Sequence, residues 1–362
     1  MVVATNLKNG ELLKALEQRF EMKDLGNVEY VLGMKIRRDR ANRHVYVSQE
    51  SYIRKALRTF GMDSAETKPA SVPGTYGKKL RKEDGGVWSK DRDNPPPYRE
   101  LVGTLMYAVV TRPDIAHACG LVARFCGNPG ETHWLAAKQI LRYLKGTAYL
   151  ELRLGGRSPL LYCYSDADWN GSDNAAPTDT HCCVSGGVLF WGDGPVEYFA
   201  RKQAVPALST CEAEFRAASF AVQYEWYDRV SSYLSLCSGV CGVIGLRTIL
   251  GEIGFTQEEP TVVFVDNLSC KAAMINPINK KLRHVNAKIH RVRFAIKDGD
   301  VQPIYVQTDH MIADILTKNL PEPRFRYLRG LIMGYAVPTD AESYAGEPKP
   351  ALPTRLKERL GY

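Results

Sequence analysis

The chain is 362 residues long, 44% hydrophobic and 24% charged, with a formal net charge of +8. Those proportions belong to globular protein with room for two cores, and they exclude collagen-like, low-complexity and wholly disordered classes. The positive excess, with a pI near 8.9, matters through its clustering, which suits a polyanionic partner.

Residues Met1 to Asn6 hold too short an apolar stretch for a secretory signal, and the chain is expected to be cytoplasmic or nuclear, not secreted. Residues 7–28 have Leu12, Leu13, Leu16 and Phe20 at helical spacing. Two strands are expected next, over 28–37 and 44–48, with residues 39–43 as a hairpin tip. Residues 52–60 read as a helix that stops at Gly61. From Thr67 to Pro97, proline, glycine and mixed charge describe a linker or loop without its own core. Three helices are then expected, over 98–111, from Pro113-Asp114 to Phe125, and over 132–145.

The second half changes character. Strands are predicted over 160–165, 182–191 and 196–202, with Gly192-Asp193-Gly194 as the turn between the last two. A helix starts near Ser209, a fourth strand covers 262–265 with a helix to Met274, a fifth covers 301–306, and a helix covers 308–318. The fold class is therefore α+β or mixed α/β, a five-stranded mixed sheet with flanking helices. Residues 321–362 lack a strong period and read as a loose tail. The uncharged run from Val230 to Leu246 is short and interrupted by serine and glycine, so no membrane span is predicted.

The basic residues concentrate between Asn279 and Lys297, where seven lysines and arginines occur with His284 and His290 and no acid. Such a patch suits a phosphate backbone; a solvated helical face is the other reading. The nine cysteines form no paired Cys-x-x-C knuckles, which points to free thiols in a reducing compartment.

Four acidic positions carry the chemistry. Asp166 ends the first strand of the second half, Asp266 ends the fourth, Glu214 lies in the helix after Ser209, and Asp314 lies in the late helical pattern. Crevices outside the carboxyl ends of sheet strands are the usual ligand sites of open α/β sheets. Four carboxylates gathered at one point would repel by roughly 4 kcal/mol per close pair at an intermediate dielectric. Divalent cations remove that repulsion, and a pair of them is the common engine of phosphodiester cleavage. Glu212, three residues after Ser209, completes a capping box and is assigned to structure. Asp168 is read as a turn residue on the opposite side of the chain from Asp166.

The text around these positions resembles a known family. Phe20-Glu21-Met22-Lys23-Asp24-Leu25-Gly26 and Tyr30-Val31-Leu32-Gly33-Met34-Lys35-Ile36 are similar to the end of the polymerase palm in copia-type retrotransposon Pol polyproteins. Tyr98 to Tyr107, Thr111-Arg112-Pro113-Asp114-Ile115 and Leu141 to Thr147 look like the following thumb and connection. Tyr164 to Trp169, Ala207 to Phe215, Val265-Asp266-Asn267 and Ala313-Asp314-Ile315-Leu316-Thr317-Lys318 resemble that family's ribonuclease H domain.

The resemblance implies a partial palm over 1–66, a linker over 67–97, a helical thumb or connection over 98–150, a ribonuclease H-like domain over 158–320 and a tail over 321–362. It implies that Asp166, Glu214, Asp266 and Asp314 bind two Mg²⁺, for which Mn²⁺ can substitute, and cleave the RNA strand of RNA–DNA hybrids. Asn267, Lys280, Lys281, Arg283, His284, His290, Arg291 and Arg293 would contact nucleic acid; for the two histidines, product release, backbone contact and plain helix packing stay open. Other Pol segments are implied partners, and virus-like particles an implied location. Two departures stand out. The polymerase's Tyr-x-Asp-Asp motif is absent, so polymerisation is not expected of this chain alone. Residues 227–244 read as an insertion in a helix the family runs through directly. Two other readings remain: a remnant that binds nucleic acid without turnover, and an integrase- or resolvase-type nuclease. The second-place glutamate argues against integrases, where the glutamate comes last.

Overall fold

The computed structural model describes residues 18–19, 27–78, 80–86, 88, 96–156, 159–169, 183–222, 242–276 and 286–335. The helix expected over 7–28 and the 227–241 part of the insertion lie outside them almost entirely. The first part begins with strands β1 (Tyr30–Val31), β2 (Met34–Asp39) and β3 (His44–Ser48), followed by helix α1 (Glu50–Thr59). The expected single strand over 28–37 is in fact two. Leu32 and Gly33 both have positive φ, 51° and 74°, and reverse the chain in a two-residue hairpin that pairs Val31 with Met34.

Helices α2 (Tyr98–Ala108), α3 (Ala116–Ala123) and α4 (Glu131–Thr147) form the middle of the chain. Strand β4 (Leu152–Gly155) then returns to pair with β3, with Val45 opposite Leu154. Sequence reading assigned no strand there. The segment expected to lack a core takes one from α4: Ala70, Val72 and Leu80 pack on the helical core, and the Ala70 N–H donates to the Arg142 carbonyl at 3.2 Å.

The second sheet has five strands: β5 (Leu161–Asp168), β6 (Val184–Trp191), β7 (Gly194–Lys202), β8 (Thr261–Val265) and β9 (Val301–Tyr305), in the order β7-β6-β5-β8-β9. The β5, β6 and β7 neighbours are antiparallel, and β5-β8 and β8-β9 are parallel. The expected mixed sheet is therefore present. Helices α5 (Thr210–Val222), α6 (Gly242–Glu252), α7 (Leu268–Ile275) and α8 (Asn286–Lys297) complete this region, with α9 (Asp314–Thr317) and α10 (Glu322–Ile332) after β9.

Strand alternation sorts β5 between two cores. Leu161 and Cys163 join Phe215, Val243 and Val263 beneath α5 and α6, whereas Tyr162 and Tyr164 join Phe264, Leu316 and Leu328 on the other face. The latter core continues into Leu101, Leu105, Leu141 and Leu144 of the helical region. Both faces of the sheet are covered, so its strands read as near-continuous apolar runs. The loose tail expected from 321 onward is overturned for its first part: α10 buries Phe325, Leu328 and Ile332, an i, i+3, i+7 face, and Phe325 meets Tyr143 edge-on at 5.5 Å. Among the described residues no helix is long and apolar enough to cross a membrane.

One polar group lies deep in the helical region. Arg112, fully buried, donates to both oxygens of Asp114 at 3.0 and 2.7 Å, and to the Thr147 carbonyl and hydroxyl, each at 2.8 Å. Burial opposes ionisation of Asp114, but Arg112 and the Tyr143 hydroxyl outweigh it and hold the carboxyl below its usual value. Removing one partner strands a buried charge. Asp114→Ala is expected to lower unfolding free energy by about 3–5 kcal/mol in a urea titration. Glu50→Ala, which breaks an exposed pair with Arg54, should cost less than about 1 kcal/mol. Equal losses would show that the buried pair contributes nothing special.

Candidate metal centre

Asp166 lies within β5, which runs three residues further than expected, to Asp168. Its cross-strand partner is Gly186. A Cβ on Gly186 would come within 2.6 Å of Thr317 and 2.8 Å of Leu316, so the bare backbone there admits α9 against the sheet. The late helix expected over 308–318 is a 3₁₀ turn, Thr308–His310, followed by the four-residue α9. Asp314 therefore opens a short helix instead of lying inside a long one. Asp266 directly follows β8, as expected, and Glu214 lies on the buried face of α5.

Three of the four carboxylates converge. Asp166, Asp266 and Asp314 each contribute an oxygen, and these oxygens all lie within 4.8 Å of one another. Glu214 stands beside this trio, and its Oε2 accepts the Ala167 N–H at 3.1 Å. Burial pushes the Glu214 carboxyl well above its usual value, with the charges of Asp166 and Asp266 adding to it. Burial and then Asp166 raise Asp266 as well. Asp314 is pushed up to about 7 by burial and by Asp166, against the pull of Lys318 and Arg324. Grouped, buried carboxylates that resist ionisation are what a cationic ligand would relieve.

Further side chains brace the group. Thr308 Oγ1 donates to Asp266 Oδ2 at 3.2 Å, and the Thr317 hydroxyl donates to Asp166 Oδ2. Lys318 Nζ is 2.8 Å from Asp314 Oδ1 and 3.7 Å from Asp166 Oδ2. The first of these is a short pair in which the ammonium pulls the Asp314 carboxyl down against its burial. Burial alone would lower Lys318, but Asp166 and Asp314 prevail and raise it above an ordinary lysine. Arg324 is 3.6 Å from Asp314 Oδ2 and donates to the carbonyls of Thr308, at 2.8 Å, and Asp309. Sequence reading gave none of Thr308, Thr317, Lys318 and Arg324 a role. Only Lys318 carried a usable signal, four residues after Asp314.

The donors are hard oxygens, the set that suits Mg²⁺ or Mn²⁺. Cys270 is buried, and burial pushes its thiol up, so it supplies no thiolate. Asp168 is the last residue of β5 and not a turn residue. Two positions from Asp166, it lies on the same side of the strand, which corrects the opposite-side reading. Glu212 is structural as expected: its N–H donates to Ser209 Oγ, its carboxylate accepts the Leu208 N–H at 2.9 Å, and it pairs with Arg216.

The expected nucleic-acid contacts are distributed unevenly. Asn267 caps α7, its Oδ1 accepting the Cys270 N–H at 2.9 Å. Arg293 donates to the carbonyls of Ala273, at 2.9 Å, and Asn276, closing the end of α7. Arg291 is exposed on α8, and His290 lies in the same helix. Lys280, Lys281, Arg283 and His284 lie outside the described residues.

No protein-family model matches the chain. Among curated proteins it is 36% identical over 322 residues to the retrovirus-related Pol polyprotein from transposon TNT 1-94 of Nicotiana tabacum, a match covering 88% of this chain and 22% of the relative. It is 30% identical over 317 residues to the corresponding polyprotein from transposon RE2 of Arabidopsis thaliana, and 31% identical over 317 residues to that from RE1. Those matches cover 87% of this chain in each case, and 20% and 19% of the relatives. The chain thus spans about a fifth of the length of these relatives. It belongs to the copia-type retrotransposon Pol polyproteins.

Proposed function

We propose that residues 158–320 act as a ribonuclease H that hydrolyses the RNA strand of RNA–DNA hybrids, next to a partial reverse-transcriptase palm and thumb. The observation that carries this reading is the convergence of Asp166, Asp266 and Asp314 within 4.8 Å, with Glu214 alongside. These four residues would hold divalent ions, Mg²⁺ by preference and Mn²⁺ as substitute. When bound, the ions supply Lewis acidity to an attacking water and to the departing 3′ oxygen.

The chain's own residues do the rest. Thr317 and Thr308 orient Asp166 and Asp266 by donating to one oxygen of each, which leaves the other for a ligand. The Ala167 N–H does the same for Glu214. Asp266 is only half-buried, so the scissile phosphate would approach from its side. Arg291 and the basic run before it would track the backbone, and contacts to 2′-hydroxyls would select RNA over DNA. No Asp-Asp pair occurs in the sequence, so polymerisation is not assigned to this chain.

The full chain should cleave a labelled RNA–DNA hybrid in Mg²⁺, and Asp266→Asn should lose at least about a hundredfold, the loss that even outer-shell partners of metal ligands can cause. Binding of the hybrid without cleavage by a folded parent would replace this reading with a binding-only remnant. Equal cleavage of duplex DNA would indicate an integrase- or resolvase-type nuclease.

A second expectation follows from the raised carboxyls. A group whose folded value exceeds its unfolded value contributes stability below the unfolded value and loses it as pH rises through the folded one. For Asp314 that window runs from 3.8 to about 7. In EDTA the melting temperature should therefore fall from about pH 4 to about pH 7, and saturating Mg²⁺ should raise stability again, by about 2.7 kcal/mol at a hundredfold excess over Kd. Asp314→Asn should flatten the EDTA profile. An unchanged slope in that variant would sink the assignment.

A further inference from the structure

Lys318 stands where a cation belongs. Its ammonium is 2.8 Å from Asp314 Oδ1 and 3.7 Å from Asp166 Oδ2, between two of the three converging carboxylates. We propose that Lys318 is the resident counter-ion of this cluster, holding Asp166 and Asp314 together in the metal-free protein and swinging out when a divalent ion enters. The proposal rests on the reading of these aspartates as metal ligands.

Three features separate Lys318 from a fixed structural pair. Its neighbour Arg324 is pinned by the carbonyls of Thr308 and Asp309 and cannot leave without breaking those bonds. The ion pairs of Lys318 are with two members of the carboxylate group, Asp166 and Asp314, and the charge of Asp168 adds to the attraction. Its side chain is 34% exposed, against 2% and 5% for the two carboxylates, so a path to solvent is open to the ammonium and not to its partners.

The physical logic is one of charge and reach. Unpaired, the buried carboxylates would repel and the group would spread or take up protons. A compact ammonium on a flexible stem limits this without filling every lone pair. A divalent ion brings twice the charge and wins the place, but its apparent affinity is reduced by the competition.

Titration calorimetry of the full chain with Mg²⁺ alone, and separately Mn²⁺ alone, tests this. Lys318→Met should bind Mg²⁺ on the order of tenfold more tightly than the parent. In EDTA it should melt below the parent, and in saturating Mg²⁺ that deficit should vanish. Lys318→Arg, which keeps the charge, should return affinity to the parent's. Unchanged or weaker binding in Lys318→Met, or an equal melting deficit with and without Mg²⁺, would overturn the proposal, since a merely structural pair behaves that way. A parent that binds neither ion would instead defeat the metal-ligand reading. The counter-ion role then stands or falls on a double-mutant cycle of Lys318→Met and Asp314→Asn in EDTA, where a coupling near zero removes it.

Discussion

Buried negative charge is the constraint around which this molecule is organised. Asp166, Glu214 and Asp314 are nearly excluded from solvent, and Asp266 is half so. No such group is stable from its own contacts: each neighbour raises the cost of ionising the next. The structure manages that cost with donors from several directions, Thr308 and Thr317 on carboxylate oxygens, a backbone N–H on Glu214, and Lys318 and Arg324 as cations. The arrangement is polar enough to persist and unsatisfied enough to attract a metal.

The site also depends on parts of the chain that carry no acid. Helix α9, only four residues long, could not hold Asp314 by itself. It lies between the five-stranded sheet, where Gly186 lets it approach, and the helical region, where His117 of α3 makes a hydrogen bond with the Leu316 backbone. Burial drives the His117 imidazole down to about 3, so it is neutral and serves packing. One apolar core runs from Leu101 and Leu141 through Leu316 to Phe264 and Leu328. The helical region and the sheet are thus joined mechanically at the residue that completes the carboxylate group.

Legibility varied with the kind of signal. Strands β5 to β9 were readable because apolar runs bounded by turn residues have few other solutions, and the Gly192-Asp193-Gly194 turn marked its hairpin. Strand β4 was overlooked although Leu150, Leu152 and Leu154 alternate with Glu151 and Arg153; four residues next to a long helix were too few to stand out. Helix α10 was mistaken for tail because Pro321 and Pro323 obscured the spacing of Phe325, Leu328 and Ile332. The hairpin at Leu32-Gly33 was hidden for another reason, since a leucine with positive φ runs against local preference and is held there by its surroundings, including the Tyr107 hydroxyl on its carbonyl.

The order of the acidic segments, their strand and helix settings, and the kinship to retrotransposon Pol polyproteins could all be read from residues in a line, because each is a local pattern. Which carboxylates actually meet could not. That outcome depends on the parallel pairing of β5 with β8, on a glycine opposite Asp166, and on a helix wedged between two packed layers. Nor could the order of residues foretell that Arg324 turns toward the acids while Asn267 and Arg293 turn to helix ends. Side-chain partners are chosen by distances across the fold, and those distances exist only after the chain has packed.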